Sequence, residues 1–219
     1  MRAVTAAGNG DATASFSGTT VATAPSITSI AAASTTSLTV NFSAPTQAAN
    51  STPATITNYE YSTDGGTTWR ARNTTGTSSP LTITLKSDTG LTLVANTSYS
   101  VKIRAVNGGG SGVASSATSG LTLSAAPTGA SASGVAGEPT KLSVAFTAPT
   151  GVGTITGYEF STNAGSTWAS ATGSATPITL TGLTANTAYT QLQIRAVTSA
   201  GSGTATANFS GTTVLAAPT

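Results

Sequence analysis

The chain has 219 residues, with no cysteine and no histidine. Eight Lys and Arg against six Asp and Glu leave a formal charge of +2, and only 6% of residues are charged, where a typical domain carries about 25%. So sparse a balance leaves no electrostatic footprint for nucleic acid, and the missing cysteines exclude a disulfide framework and leave the redox compartment open. No apolar run approaches the roughly 18 residues of a membrane span, so no membrane insertion is expected. Met1 to Thr5 lack the apolar core of a secretory signal. The surface must be built from Thr, Ser, Asn and Gly.

One stretch is written three times. It begins at Arg2-Ala3-Val4, at Arg104-Ala105-Val106 and at Arg195-Ala196-Val197, and each copy runs to an Ala-Pro. The first and last copies share RAVT, AG, ATA, FSGTTV and AP. Self-similarity at a domain-sized period makes the chain an array of whole domains. The expected division is an incomplete preceding repeat at 1–24, supplying a terminal two-strand hairpin, then full domains at 25–124 and 125–219.

In chain order, Arg2-Ala3-Val4 closes one strand, 7–11 is a loop of turn residues, and Ala12 to Val21 reads as a second strand. Phe16 and Val21 match Phe209 and Val214, so the hairpin keeps the apolar residues of a packed domain. It is expected to dock as an assembly element on strands of a preceding domain or another polypeptide. Ala24-Pro25, Ala126-Pro127 and Ala217-Pro218 are junctions of a few residues, which predicts stiff joints.

Leu38-Thr39-Val40-Asn41-Phe42 and Leu142-Ser143-Val144-Ala145-Phe146 alternate with period two, as half-buried strands do. Tyr59-Glu60-Tyr61 and Tyr158-Glu159-Phe160 put aromatics on one face and glutamate on the other. Asp64-Gly65-Gly66 and Asn163-Ala164-Gly165 read as tight hairpin turns, each followed by Thr-Trp (Trp69, Trp168). Leu81, Ile83 and Leu85 predict a further strand, as do Ile178 and Leu180. Tyr99, Val101, Ile103 and Ala105 hold strict alternation, leaving Lys102 and Arg104 outside. Leu192, Ile194 and Ala196 are out of phase with Tyr189, which predicts a bulge near Thr190-Gln191. Last strands are placed at Ala114 to Leu123 and Thr204 to Val214. Seven short strands per domain without a helical period predict an all-β fold of two tandem immunoglobulin-like sandwiches.

Both full domains resemble the fibronectin type III family. The resemblance rests on the Leu-x-Val-x-Phe strands closed by Ala-Pro-Thr, on Tyr59-Glu60-Tyr61 and Tyr158-Glu159-Phe160, and on Leu183-Thr-Ala-Asn-Thr-Ala-Tyr189. Arg-Ala-Val with its Gly-x-Gly loop (Gly110 and Gly112; Gly201 and Gly203) completes it. Where the family usually has tryptophan at the end of the second strand, this chain has Phe42 and Phe146 and carries its tryptophans on the strand after the hairpin, a variation common in bacterial and phage-borne members. The resemblance implies that the third strand neighbours the tyrosine-bearing strand, pairing Glu60 with Lys102 or Arg104 and Glu159 with Arg195. It also implies that Tyr99 and Tyr189 are corner tyrosines, buried and bonded through their hydroxyls to nearby backbone. No Arg-Gly-Asp is present, so integrin recognition is not implied.

Catalytic chemistry has little to draw on. Without His or Cys a nucleophile needs a Lys or carboxylate base, and Asp11, Glu60, Asp64, Asp88, Glu138 and Glu159 scatter over different strands and loops. No catalytic, cofactor or metal residue is assigned. Asp64-Gly65-Gly66 lacks the ~6–8 oxygen ligands of a calcium site, and the second domain has Asn163 there.

Trp69 and Trp168, with Arg70 and Arg72, are the candidate contacts for a glycan or partner. The simpler reading packs each tryptophan on the core rim beside Tyr59 or Tyr158. Arg70 and Arg72 have no counterparts beside Trp168, where Ala169 and Ser170 stand, so they are solvated charges or a feature of the first domain alone. The expected function is a non-enzymatic structural or interaction module of a repeat array, a rod, filament or decoration, extracellular, on a cell surface or on a virion. Its partners would be neighbouring copies or adjacent repeats, with surface glycan as a further candidate. The alternative is a carbohydrate-binding or adhesive accessory module of a secreted polysaccharide-active protein.

Overall fold

The computed structural model describes residues 4–9, 11, 19–46, 55–73 and 76–218. Every regular element among them is a β-strand. β1 (Val4–Thr5) and β2 (Gly8–Asn9) form a small antiparallel hairpin, with Val4 opposite Asn9 and Thr5 opposite Gly8.

The first sandwich packs a three-stranded sheet against a second sheet. The former runs β3 (Ser26–Ser34), β4 (Ser37–Ser43) and β7 (Leu81–Ile83) in that spatial order. The latter is ordered β10 (Thr118–Leu121), β8 (Ser98–Asn107), β5 (Asn58–Ser62), β6 (Arg70–Ala71), with β9 (Gly110–Ser111) also on β8. The second sandwich repeats the plan. β11 (Thr128–Val135), β12 (Glu138–Thr147) and β15 (Ile178–Leu180) face β14 (Ala169–Ser170), β13 (Ile155–Ser161), β16 (Ala188–Thr198) and β17 (Gly201–Ser202), and β18 (Phe209–Thr212) pairs with β16. The β1–β2 pairing recurs at β8–β9 as Val106 opposite Ser111 and at β16–β17 as Val197 opposite Ser202. The threefold repeat in the sequence is therefore a threefold repeat of one turn.

Period-two alternation puts one side of each strand in the core. β4 buries Leu38, Val40 and Phe42; β8 buries Tyr99, Val101, Ile103 and Ala105. Each fully buried Leu, Ile or Val contributes at most about 1.5–3 kcal/mol. The two cores are separate clusters, and each sets a phenylalanine against a tyrosine, Phe42–Tyr59 and Phe146–Tyr158, with centroids 4.6 Å apart. In the second sandwich the register of β16 against β18 slips by one residue between Tyr189 and Leu192, which is the expected bulge.

Three expectations need correction. The last strands are shorter than Ala114 to Leu123 and Thr204 to Val214. Before them a side chain stands in for the backbone: Ser115 Oγ accepts from Ile103 N at 3.0 Å, and Thr206 Oγ1 from Ile194 N at 3.1 Å. The tight turns are also wider than read. Glu60 pairs with Ala71 and Tyr61 with Arg70, so the connection spans 63–69.

The third correction concerns the N-terminal segment. Phe16 lies outside the described residues, and residues 19–25 are not a strand. They lie along this chain's own first sandwich: Asn107 Nδ2 donates to Thr20 O at 3.0 Å and Val113 N to Ala22 O at 2.9 Å. Val21 is 47% exposed. The cause is the joint geometry described below, which uses this stretch as the lead-in to the following sandwich.

Candidate functional site

Glu60, Arg104 and Trp69 meet on the outer face of the larger sheet, as Glu159, Arg195 and Trp168 do in the second sandwich, whereas Arg70 and Arg72 lie elsewhere. Adjacent pairing of β5 with β8 puts Glu60 opposite Arg104, and β13 with β16 puts Glu159 opposite Arg195. Arg104 Nε lies 2.6 Å from Glu60 Oε2, and Arg195 Nε 2.7 Å from Glu159 Oε2. The expected ion pairs are formed, with Arg104 rather than Lys102 as the partner. Ser111 and Ser202 hydroxyls donate to the same carboxylate oxygens at 2.9 and 2.8 Å. All four charged side chains are about three-quarters covered, so each pair is worth more than a fully solvated one but only about 1 kcal/mol.

Each arginine also stacks on a tryptophan. Arg104 Cζ stands 4.2 Å from the Trp69 ring centroid and Arg195 Cζ 4.0 Å from that of Trp168, a cation–π contact of about 0.5–1 kcal/mol. The indole N–H groups donate to Gly66 O at 3.1 Å and Gly165 O at 3.0 Å. One ring face and the polar edge of both tryptophans are thus occupied by the protein itself.

The Asp64 carboxylate anchors the wide turn. It accepts from Ser62 Oγ and Thr68 Oγ1 at 2.6 Å and from the Thr67 and Thr68 amides at 3.0 Å. Burial acts to raise its pKa, but these donors outweigh it and hold it at about 2, below the ordinary 3.8. Asn163 Oδ1 takes the corresponding bonds from Ser161 Oγ and Thr167 N, at 2.8 and 2.9 Å. A neutral amide serves where a carboxylate does, which is the mark of a turn anchor. Among the described residues no cluster of three or more His, Cys, Asp or Glu could hold a metal ion.

Arg72 is not a solvated charge. Its guanidinium donates to Gly76 O (3.3 Å), Ser78 O (2.7 Å) and Pro80 O (3.0 Å), gathering the approach to β7. Arg70 is half-buried beside Tyr61. Tyr99 and Tyr189 accept through their hydroxyls from Val94 N and Thr184 N, each at 2.8 Å. Tyr99 is buried as expected, whereas Tyr189 is half-buried, because the bulge after it lifts the ring toward the rim.

The joint between the sandwiches was not foreseen in its chemistry. Leu123 still belongs to the first sandwich, with its amide on Ser34 O and its carbonyl on Asn96 N; Ser124 O, one residue on, accepts from Thr204 N of the second. No spacer intervenes. Asn96, at the β7–β8 corner, takes a left-handed φ of 48°, a conformation that asparagine tolerates better than most residues. That turn aims its carbonyl at the β12–β13 loop, where it accepts from Val152 N at 2.8 Å, while its Nδ2 donates to Gly153 O at 3.0 Å. The packing demands glycine: a Cβ on Gly151 would stand 2.5 Å, and on Gly153 2.2 Å, from Asn96 atoms. Asn96 is 1% exposed. The sequence signals were the repeated Ala-Asn-Thr and the Gly-Val-Gly, neither of which carries chemistry until the domains are stacked.

Residues 23–120 and 125–212 match the fibronectin type III domain. The chain belongs to this family, whose domains are generally non-catalytic modules and typically extracellular or at a surface. Among solved structures it is similar to the FN1–FN3 domains of chicken CNTN1, with 18% identity, a TM-score of 0.46, and coverage of 97% of this chain and 76% of that one. No curated protein matches it.

Proposed function

We propose that the chain is a non-enzymatic structural module of an extracellular or virion-surface array, with its domains set head to tail in a rod, filament or decoration. The joint carries this reading. The chain passes from Leu123, bonded in the first sandwich, to Ser124, bonded in the second, without a spacer, and Asn96 is sealed beneath a loop of the neighbour by main-chain and side-chain bonds. Such a joint holds a fixed angle, which suits a spacer that must transmit geometry. The low charge and Thr- and Ser-rich faces suit a rod kept soluble by neutral hydrogen-bonding groups.

Arg104 and Arg195 each take one face of Trp69 and Trp168, so a sugar could stack only on the other face, which makes carbohydrate binding the second reading. Immunogold labelling of the native source with an antibody to residues 125–219 tests the proposal. Regularly spaced gold on a filament, surface or particle is the expected result; label confined to the cell interior would refute it. Glycan-array binding lost on Trp69→Ala and Trp168→Ala would favour the accessory-module alternative.

A further inference from the structure

The second sandwich carries its own copy of the half-joint that Asn96 forms in the first, and that copy is open. Asn186, at the β15–β16 corner, has the same φ of 48° and the same donation from its amide, to Val214 O at 3.1 Å, as Asn96 makes to Leu123 O at 2.9 Å. The support beneath is also duplicated. Thr213 Oγ1 accepts from Thr187 N at 2.9 Å and donates to Thr184 O at 2.7 Å; Thr122 Oγ1 accepts from Thr97 N at 3.0 Å and donates to Val94 O at 2.6 Å. Both threonines are buried.

Only the upper surface differs. Asn186 is exposed where Asn96 is buried, and among the described residues its side-chain amide has no hydrogen-bond partner. Leu215 is 72% exposed where its counterpart Ser124 is fully buried, and Pro218 is exposed where Pro127 is buried. Asparagine accepts a left-handed φ more readily than most residues. Here the threonine clasp holds it in place without a neighbour, so the corner is shaped for docking before any partner arrives.

We propose that Asn186, with the Val214–Leu215 edge, is the docking surface for one further fibronectin type III domain whose loop between its second and third strands carries Gly-x-Gly. The filled joint at Asn96 identifies the occupant: residues 151–153 show which loop fits and why it needs glycine. In the docked state the Asn186 carbonyl accepts from the two amides after the first glycine, and Nδ2 donates to the second glycine's carbonyl. The Leu215 carbonyl accepts from the start of the incoming domain's last strand, as Ser124 O accepts from Thr204 N. This inference rests on the head-to-tail reading but is separable from it, because domains can follow one another on a flexible tether without using the corner.

The test is made on the full chain extended by a copy of residues 129–219 fused directly after Thr219, which restores the register of the first joint. The Asn186 side-chain amide is expected to exchange with solvent about tenfold more slowly than in the parent chain, and 15N relaxation should show the added domain tumbling with the second. Asn186→Gly, which keeps the left-handed turn and removes the amide, and alanine at the appended counterparts of Gly151 and Gly153 should each restore free tumbling while all domains stay folded. An added domain that tumbles independently, with Asn186 exchanging as in the parent, overturns the docking proposal and leaves the array reading standing. Joint tumbling that survives both sets of substitutions overturns the assigned contacts.

Discussion

Asn96 and Asn186 hold the same left-handed turn in two sandwiches, yet one is sealed beneath a neighbouring domain and the other faces solvent. The turn is therefore a property of the domain and not a response to its neighbour. The same holds for the Glu–Arg–Trp groups, which repeat to within 0.2 Å in both sandwiches. What does vary is local. The first sandwich has a carboxylate at Asp64, a guanidinium clamp at Arg72 and a hydroxyl at Tyr61; the second has Asn163, no such clamp and Phe160. Framework is shared, and each domain solves its turns in its own way.

The threonine clasp gives the largest expected effect. Replacing Thr122 or Thr213 by Val leaves backbone groups at the corner without their partner and should cost about 2–3 kcal/mol in the affected sandwich. The two mutants separate on a second readout: chemical shifts across the joint should move in Thr122→Val and stay put in Thr213→Val. Equal shifts in both would break the claim that Thr122 seats the joint.

Tyr99→Phe comes next, at about 1.5 kcal/mol by chemical denaturation, because it strips the partner from Val94 N in a buried setting. The half-buried Tyr189 should cost about half as much when changed to Phe. A reversed order would mean that the bulge does not set the exposure of the ring.

Asp64 should make the first sandwich the more acid-sensitive of the two. Its folded value of about 2 lies below the ordinary 3.8. Its contribution is thus complete above the ordinary value and fades as the pH falls through the folded one. After allowance for solvent screening it amounts to about 1 kcal/mol. Asp64→Asn, which copies Asn163, should flatten that acid limb in a melting series from pH 5 to pH 2 (about the span of the two values); an unchanged limb would assign the sensitivity elsewhere. Smallest of all, Tyr61→Phe, which copies Phe160, should be neutral or stabilising by about 0.5 kcal/mol, since the buried Tyr61 hydroxyl has no hydrogen-bond partner among the described residues.

Much of this was legible in the chain. Alternation in Leu38–Phe42 and Tyr99–Ala105 marked the core faces, and the phase break at Tyr189 marked the bulge, because strand side chains obey a period of two. The carboxylate–arginine pairs followed once the strand neighbours were known. The joint did not follow. Asn96, Gly151 and Gly153 are polar or small residues in loops, and their value comes from contacts across a domain boundary that no local periodicity encodes. The role of Arg72 was left open between a solvated charge and a feature of the first domain for a similar reason: its partners are carbonyls of an irregular loop, and every loop offers carbonyls. The segment at 19–22 looked like the end of a strand because it repeats one, while its hydrogen bonds are set by the sandwich that comes after it.

The stiffness of the joint is tested most directly by residual dipolar couplings at the amides of both sandwiches in the full chain. One alignment tensor should fit residues 25–124 and 125–218 together, and Gly153→Val, which forces a side chain onto Asn96, should split it into two. Two independent tensors in the unmodified chain would contradict a rigid head-to-tail module.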